Sequence, residues 1–190
     1  MMRVGACAAR TCARAYTTAA HRFENMMSTA TLHLRDPAAT EAAGARLARA
    51  LSGGMVVTLS GDLGAGKTTL VRGCLRALGW AGPVKSPSYP LVEHYPLSSL
   101  YFYHFDFYRF ADPSEWETAG FADCFHRDAV CVVEWPERVA GRLPPPDLAL
   151  TLTYPADLSS SGRELALTAH TEDGERCLTA MNTFGGSPTA

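Results

Sequence analysis

The sequence predicts an α/β fold of three layers, with a mostly parallel central sheet and antiparallel additions. Three observations support this prediction. A strand at residues 55–60 runs through a glycine-rich loop into an amphipathic helix. A continuous apolar run at 129–133 is typical of a central parallel strand buried on both faces. Two segments of alternating polarity, at 148–154 and 163–170, are typical of antiparallel strands.

Local signals predict the elements that precede the glycine-rich loop. Residues 31–34 alternate in polarity like a short strand. Asp36 is a predicted helix N-cap, and Pro37 suits the first position of a helix that runs to about Leu51. The Ser-Gly-Gly sequence at 52–54 ends that helix and leads into the next strand. Strand, helix, strand, loop and helix in this order are typical of an α/β domain.

The elements after the loop are predicted in the same way. Gly79 ends the amphipathic helix, and three prolines at 81–90 predict an irregular loop. Residues 91–95 and 100–110 predict a hairpin of two strands. The second strand holds seven aromatic residues on both faces, which favours burial on both sides over a platform for stacking bases. A further helix is predicted to start at 112–115.

The glycine-rich loop matches the phosphate-binding pattern G-x-x-x-x-G-K-[ST], known as the P-loop. Its glycines let backbone N–H groups and the positive end of the following helix approach a phosphate. Lys67 is predicted to reach the β- and γ-phosphates, and the Thr68 hydroxyl to bind Mg²⁺. The sequence therefore predicts a bound nucleoside triphosphate with magnesium. The predicted phosphate-binding residues are Gly61, Asp62, Leu63, Gly64, Ala65, Gly66, Lys67, Thr68 and Thr69.

Two acidic residues are candidates for completing the magnesium site. Asp106 lies in the apolar segment 104–109, and Glu134 closes the apolar run at 129–133. An acid in an apolar strand needs a partner to offset its loss of solvation. For either acid considered alone, a structural salt bridge is as good an explanation as contact with a metal ion. Beside a P-loop, both are predicted to lie at the metal and, with Lys67, to be catalytic.

Composition limits the classes of protein that this chain can belong to. Its 190 residues, 47% apolar, suit one globular domain. Six cysteines without C-x-x-C spacing predict reduced thiols and no structural metal. No apolar run is long enough to cross a bilayer, so we expect a soluble, cytoplasmic protein with no membrane partner.

The first 27 residues differ from the rest of the chain. They hold four arginines against one acid, which suggests a transit peptide or a start codon assigned too early, with Met26 or Met27 as the true start. We favour the early start, and expect a domain over 28–182 and a disordered tail over 183–190. The whole chain has a net charge of −2, so the domain without this basic segment is more acidic. That charge disfavours direct binding of RNA by this chain alone.

Four motifs occur in the order and spacing of one family. They are the P-loop, Val-Lys-Ser-Pro-Ser-Tyr at 84–89, His-Phe-Asp-Phe-Tyr-Arg at 104–109, and Val-Glu-Trp-Pro at 133–136. Over about residues 29–170 the chain resembles the TsaE family, also called YjeE. The resemblance implies a protein that binds ATP or ADP and is needed for N6-threonylcarbamoyladenosine (t6A) at position 37 of tRNAs that read codons beginning with adenine. It also implies TsaB and TsaD as partners, with tRNA met only through their complex.

The resemblance implies a role for each matching residue. Lys67 would be the phosphate lysine, Thr68 a magnesium ligand, Asp106 a Walker-B-like acid and Glu134 a second acid at the metal. The family's ATPase does not transfer the threonylcarbamoyl group itself, and its ATP cycle supports repeated turnover of the TsaB–TsaD assembly. We expect a Mg²⁺-dependent ATPase that is weak without these partners.

Four more residues match positions at the nucleotide in this family. Ser88 stands where the family usually has threonine and keeps a hydroxyl for switching or for hydrogen bonds near the metal. Trp135 matches the family's tryptophan after the glutamate, although packing explains it equally well. Thr40 and Arg163 fall where the family has contacts on the adenine or nucleotide side.

Other functions remain open at this stage. A small metabolite kinase has the same size and loop, but it needs a substrate-binding insertion and usually a lid that carries arginine, and no clear basic lid segment is present. A GTPase is disfavoured because the sequence has no Asn-Lys-x-Asp motif. A non-catalytic module, in which ATP only fixes a conformation that partners recognise, is the third alternative.

Overall fold

The computed structural model describes residues 28–98, 100–112, 114–156 and 161–182. The predicted extension at 1–27 and the predicted tail at 183–190 lie outside these residues. The strands are β1 (Thr29–Leu34), β2 (Val56–Ser60), β3 (Val92–Pro96), β4 (Tyr101–Asp106), β5 (Ala129–Glu134), β6 (Leu148–Thr153) and β7 (Arg163–Ala169). The α-helices are α1 (Pro37–Ala48), α2 (Lys67–Ala77), α3 (Ser114–Thr118) and α4 (Glu172–Asn182), and short 3-10 helices lie at Phe121–Cys124 and Pro136–Val139.

One mixed sheet of seven strands connects the described parts of the chain, in the order β1-β7-β6-β2-β5-β4-β3. Its centre is parallel, because β2 pairs with both β5 and β6, and β5 pairs with β4. The outer pairs β1–β7, β6–β7 and β3–β4 are antiparallel. The predicted sheet, mostly parallel at its centre with antiparallel additions, is confirmed.

The sheet is covered on both faces, which gives the predicted three layers. Val130 and Val132 of β5 point into one hydrophobic cluster, which is formed with α1, α2 and α4. Cys131 and Val133 point into a second cluster on the opposite face, formed with Phe121 and the aromatic residues around α3. Alternate residues of a strand face opposite sides, so burial of both faces requires the continuous apolar run seen in the sequence.

The predicted helix start at α1 is present in the structure. Asp36 has an extended backbone, and its side chain accepts a hydrogen bond of 2.7 Å from the Ala39 N–H. Pro37 occupies the first helical turn, where its missing N–H costs no hydrogen bond. The helix ends at Ala48, three residues before the predicted Leu51.

The largest differences from the sequence prediction concern two elements. The aromatic strand ends at Asp106 rather than at residue 110, because the Asp106 carboxylate accepts the Tyr108 N–H at 3.0 Å and turns the chain. Helix α4 was not predicted. Thr171 caps its start by accepting the Gly174 N–H, and its Cys177 and Met181 pack on the sheet.

Helices α1 and α2 approach each other closely at two glycines. A Cβ atom on Gly44 of α1 would collide with the Leu70 carbonyl oxygen of α2. A Cβ atom on Gly73 of α2 would collide in the same way with the Glu41 carbonyl oxygen of α1. These backbone contacts fix the position of α2, whose first residue is Lys67.

Among the described residues, four cysteines are free thiols, namely Cys74, Cys124, Cys131 and Cys177. Burial raises the pKa of the Cys177 thiol to about 12, which keeps it protonated and unreactive near neutral pH. None of the helices in the described ranges has the length and apolar character needed to cross a membrane.

The helix contact leads to a stability prediction for Gly44→Ala. An alanine at an open helical position would stabilise the protein by up to about 1 kcal/mol. Here the added methyl group meets backbone that cannot move aside, so we expect the free energy of unfolding to fall by about 2 kcal/mol. The control is Ala42→Ser, on the exposed face of the same helix, which should change the free energy of unfolding by less than about 0.5 kcal/mol. Chemical denaturation measures both values, and a stabilised Gly44→Ala variant would contradict the predicted collision.

Candidate functional site

The P-loop connects the end of β2 to the start of α2, as the sequence predicts. Gly61 has φ 127° and Gly66 has φ 110°, a backbone conformation that disfavours residues with a side chain. A Cβ atom on Gly61 would also collide with the Leu152 carbonyl oxygen of β6. The loop can therefore turn tightly at the carboxyl end of β2 and lead directly into the N-terminus of α2.

Lys67 is the buried cation of the site. Its Nζ donates hydrogen bonds to the carbonyl oxygens of Gly61 at 2.6 Å and Asp62 at 2.9 Å. The same atom lies 4.1 Å from the centre of the Trp135 ring. Burial lowers the pKa of Lys67 below its usual value, and the negative charge of Glu134, followed by that of Asp106, opposes this effect.

Glu134 lies at the end of β5 and is only 2% exposed. Its Oε1 accepts a hydrogen bond of 2.9 Å from the Thr68 hydroxyl at the start of α2. The same oxygen lies 2.8 Å from Nε2 of His104, a fully buried residue of β4. Glu134 therefore joins the P-loop helix to the neighbouring strand.

Asp106 lies at the end of β4, directly opposite Glu134 in the parallel register. Its Oδ1 accepts the Tyr108 N–H at 3.0 Å, and its Oδ2 accepts a hydrogen bond from the Ser86 hydroxyl. Ser86 belongs to the proline-rich loop before β3, so this bond holds that loop beside the P-loop.

These side chains line one cavity of about 380 Å³. The structure brings the predicted residues Lys67, Thr68, Asp106 and Glu134 together in it. The other residues that line this cavity are Leu63, Gly64, Gly66, Thr69, Ser86, Ser88, Tyr108, Arg109 and Trp135. The predicted residues Ser88 and Trp135 therefore line the same cavity as these four residues. We call this space the phosphate-side cavity.

A second cavity of about 240 Å³ lies on the other side of the P-loop. The predicted residues Thr40 and Arg163 both line it, together with Ala65. The Thr40 hydroxyl donates to the Asp36 carbonyl oxygen at 3.2 Å, and the Arg163 guanidinium stacks 3.9 Å from the Tyr154 ring. We call this space the nucleoside-side cavity, because the family resemblance predicts contacts on the adenine or nucleotide side for Thr40 and Arg163.

The two cavities share three lining residues of the P-loop, namely Gly64, Gly66 and Thr69. They are therefore adjacent and separated only by the loop and the first turn of α2. This arrangement suits a ligand with a phosphate end and a less polar end. Gly61 and Asp62 line neither cavity, and their carbonyl oxygens hold Lys67 instead.

The sequence analysis missed several residues of the site. Ser86, His104, Tyr108 and Arg109 were not assigned a role, although all four lie in the motifs at 84–89 and 104–109. A polar side chain within a buried strand is the signal that could have identified His104, because such a group needs a hydrogen-bond partner. Arg35 and Asp36 were also missed as lining residues of the nucleoside-side cavity.

The donor set of the phosphate-side cavity fits a hard divalent cation. Thr68, Asp106 and Glu134 offer one hydroxyl and two carboxylates, all oxygen donors of the kind that Mg²⁺ prefers. No group of three or more His, Cys, Asp and Glu residues that could hold a metal is found in the described part of the chain. A cation here would therefore need further oxygen ligands, such as phosphate and water.

A P-loop between a central parallel strand and a helix, with acids at the ends of two neighbouring parallel strands, defines a P-loop protein of the α/β class. The family described as threonylcarbamoyl adenosine biosynthesis protein TsaE matches residues 34–164. This match covers well over half of the chain, and the chain belongs to the TsaE family.

Individual relatives agree with this assignment. A tRNA threonylcarbamoyladenosine biosynthesis protein TsaE from Haemophilus influenzae is 44% identical over 128 residues, covering 67% of this chain and 78% of the relative. The protein of the same name from Bacillus subtilis is 39% identical over 116 residues, covering 61% and 70%. The crystal structure of Bacillus subtilis YdiB superposes with a TM-score of 0.67 at 29% identity, covering 83% of this chain and 96% of YdiB.

The charges around Lys67 lead to a prediction about its pKa. Because the negative charge of Glu134 is the largest effect opposing burial, Glu134→Gln should lower the pKa of Lys67 further. The pH range in which Lys67 loses its proton then moves down. Glu137→Gln is the matched control, since Glu137 acts on Lys67 more weakly. An NMR titration of the Lys67 side chain measures both shifts, and an equal or larger shift for Glu137→Gln would show that Glu134 is not the main opposing charge.

Proposed function

We propose that this protein binds ATP with Mg²⁺ and hydrolyses it in support of t6A formation on tRNA, acting with TsaB and TsaD homologues. The main support is the convergence of the P-loop residues Lys67 and Thr68 with Asp106 and Glu134 in one cavity. The names of the relatives from Haemophilus influenzae and Bacillus subtilis point to the same pathway.

The phosphates would bind at the N-terminus of α2. Backbone N–H groups of the loop and the helix dipole attract an anion there. Lys67 would exchange the carbonyl oxygens of Gly61 and Asp62, which it now contacts, for phosphate oxygens. Its buried position favours this exchange, because a phosphate oxygen compensates the charge better than a carbonyl oxygen.

Thr68, Asp106 and Glu134 would hold the magnesium ion. Bound Mg²⁺ would supply positive charge that stabilises the charge developing on the phosphates during hydrolysis. The Thr68 hydroxyl can bind a cation through an oxygen lone pair and still donate its proton. It donates that proton to Glu134 Oε1 at 2.9 Å. The observed hydrogen bond is therefore compatible with metal binding by Thr68.

The nucleoside would occupy the second cavity, beside Thr40 and Arg163. ATP is favoured over GTP because the sequence has no Asn-Lys-x-Asp motif for reading guanine. The tyrosine-stacked guanidinium of Arg163 offers a flat, partly apolar wall to a base or a ribose.

Dependence on a partner is supported by Arg109, which lines the phosphate-side cavity, and by Tyr89, which lies beside it. Tyr89 is 84% exposed, and the Arg109 guanidinium lies 5.0 Å from its ring. A protein docked over Tyr89 would change the position of Arg109, which lines the cavity. An arginine that is placed at the phosphates, either from the same chain or from an activator, is an established way to raise turnover at a P-loop site.

The proposed function predicts the kinetics of ATP hydrolysis by the full chain. TsaB and TsaD together should stimulate hydrolysis, and Lys67→Ala should lower the stimulated rate by about 100-fold or more, because it removes a charge that stabilises the transition state. Lys85→Ala is the matched control, since Lys85 is exposed and lines neither cavity. Phosphate release with each partner alone and with both measures the effect.

Each alternative gives a different result in this assay. Transfer of phosphate to a small metabolite, without stimulation by TsaB and TsaD, would favour a kinase. Full support of t6A formation by a Glu134→Gln variant that binds ATP but does not hydrolyse it would favour a non-catalytic module. Absence of ATP binding by the wild-type protein would contradict the proposal altogether.

A further inference from the structure

We propose that His104 is a positioning residue that orients the Glu134 carboxylate by donating a hydrogen bond from its Nε2–H to Oε1. This role rests on the proposed ATPase function, in which Glu134 acts at the metal. His104 itself lines neither cavity, so it would act only through Glu134.

The location of His104 requires an explanation. It is fully buried in the middle of β4, opposite Val132 of β5 and between Tyr103 and Phe105 in the sequence. An apolar residue would fill such a position without the cost of burying a polar ring. The 2.8 Å contact with Glu134 Oε1 gives this ring its hydrogen bond.

The second ring nitrogen determines which atom carries the proton. Within the described ranges, Nδ1 of His104 is buried and has no hydrogen-bond partner. A proton on Nδ1 would be a buried N–H donor without an acceptor, which is costly. A proton on Nε2 instead points at a carboxylate oxygen. The structure therefore favours the tautomer that donates from Nε2 to Glu134.

This donor would control where the Glu134 carboxylate points. Oε1 receives two donors, the Thr68 hydroxyl at 2.9 Å and His104 Nε2 at 2.8 Å, and they come from different elements. Without His104, one of the two hydrogen bonds that hold the carboxylate is lost. Attraction to Lys67 can then turn the Glu134 carboxylate towards the cation. A carboxylate paired with Lys67 would be displaced from the metal, and Lys67 would be displaced from the phosphates.

Two substitutions separate a positioning role from a packing role. His104→Gln keeps an N–H donor on a side chain of similar reach, whereas His104→Leu fills the space without a donor. With TsaB and TsaD present, we expect His104→Leu to lower kcat by about 10- to 100-fold, as is typical for groups that orient metal ligands. At saturating Mg²⁺, KM for ATP should change little, and His104→Gln should recover most of the loss of kcat. A second readout does not depend on turnover. His104→Leu should need more Mg²⁺ than the wild type to bind a fluorescent ATP analogue.

A double-mutant cycle tests whether His104 acts through Glu134. In a Glu134→Gln background, which still binds ATP, His104→Leu should cause no further rise in the Mg²⁺ requirement for binding of the ATP analogue, because the group that it orients has been replaced. Rises that multiply independently would overturn the proposal, and so would equal losses of kcat in the single variants His104→Gln and His104→Leu. A turnover rate for His104→Leu equal to that of the wild type would also overturn it.

The hydrogen bond can be tested separately in the nucleotide-free protein. Nitrogen-15 NMR of the imidazole rings, with His104→Gln used to assign the His104 signals, should show the proton on Nε2. A proton on Nδ1 with none on Nε2 would overturn the proposal, even if His104→Leu fails to fold. A wild-type protein that neither binds nor hydrolyses ATP would instead refute the proposed function, and the NMR result would still decide the hydrogen bond.

Discussion

The parallel register of β2, β5 and β4 is the constraint on which the site depends. It pairs Leu59 with Glu134 and Glu134 with Asp106, so both acids lie at the level where β2 enters the P-loop. The backbone bonds from Trp135 N to Leu59 O at 3.1 Å and from Phe107 N to Glu134 O at 3.2 Å extend this register beyond the strands. A slip of one residue would turn Glu134 to the opposite face of the sheet. The acids therefore meet Lys67 because of backbone pairing, and not because of their own attraction.

Burial of three charges in so small a space sets the electrostatics of the site. Lys67, Asp106 and Glu134 are 4%, 3% and 2% exposed. Each acid has neutral or backbone donors of its own, and Lys67 is held by carbonyl oxygens rather than by either acid. The lowered pKa of Lys67 shows that burial outweighs the attraction of both carboxylates. A phosphate chain with a divalent cation would supply an anion for the lysine and a cation for the acids, which would compensate all three desolvated groups at once.

The sequence predicts features that are local or periodic, and it misses those that depend on tertiary contacts. The P-loop, the Asp36 cap and the continuous apolar strand β5 each follow from a short run of residues. The hydrogen bonds of Asp106 with Ser86 and of Glu134 with His104 and Thr68 join residues 20, 30 and 66 positions apart. No spacing rule identifies such pairs, because they depend on which strands become neighbours in the sheet. The early end of β4 was missed for a local reason, since the seven aromatics concealed the turn that the Asp106 side chain stabilises.

The contact between α1 and α2 connects the two ends of the site. The start of α1 contributes Asp36 and Thr40 to the nucleoside-side cavity, and the first turn of α2 contributes Lys67 and Thr68 to the phosphate-side cavity. Because these helices touch through backbone at Gly44 and Gly73, neither can slide without the other. The packing of these helices therefore helps to set the distance between the two cavities, in addition to the glycine-rich loop between them. A nucleotide that spanned both cavities, as proposed, would meet a spacing determined before it binds, and this would lower the entropic cost of arranging its phosphates.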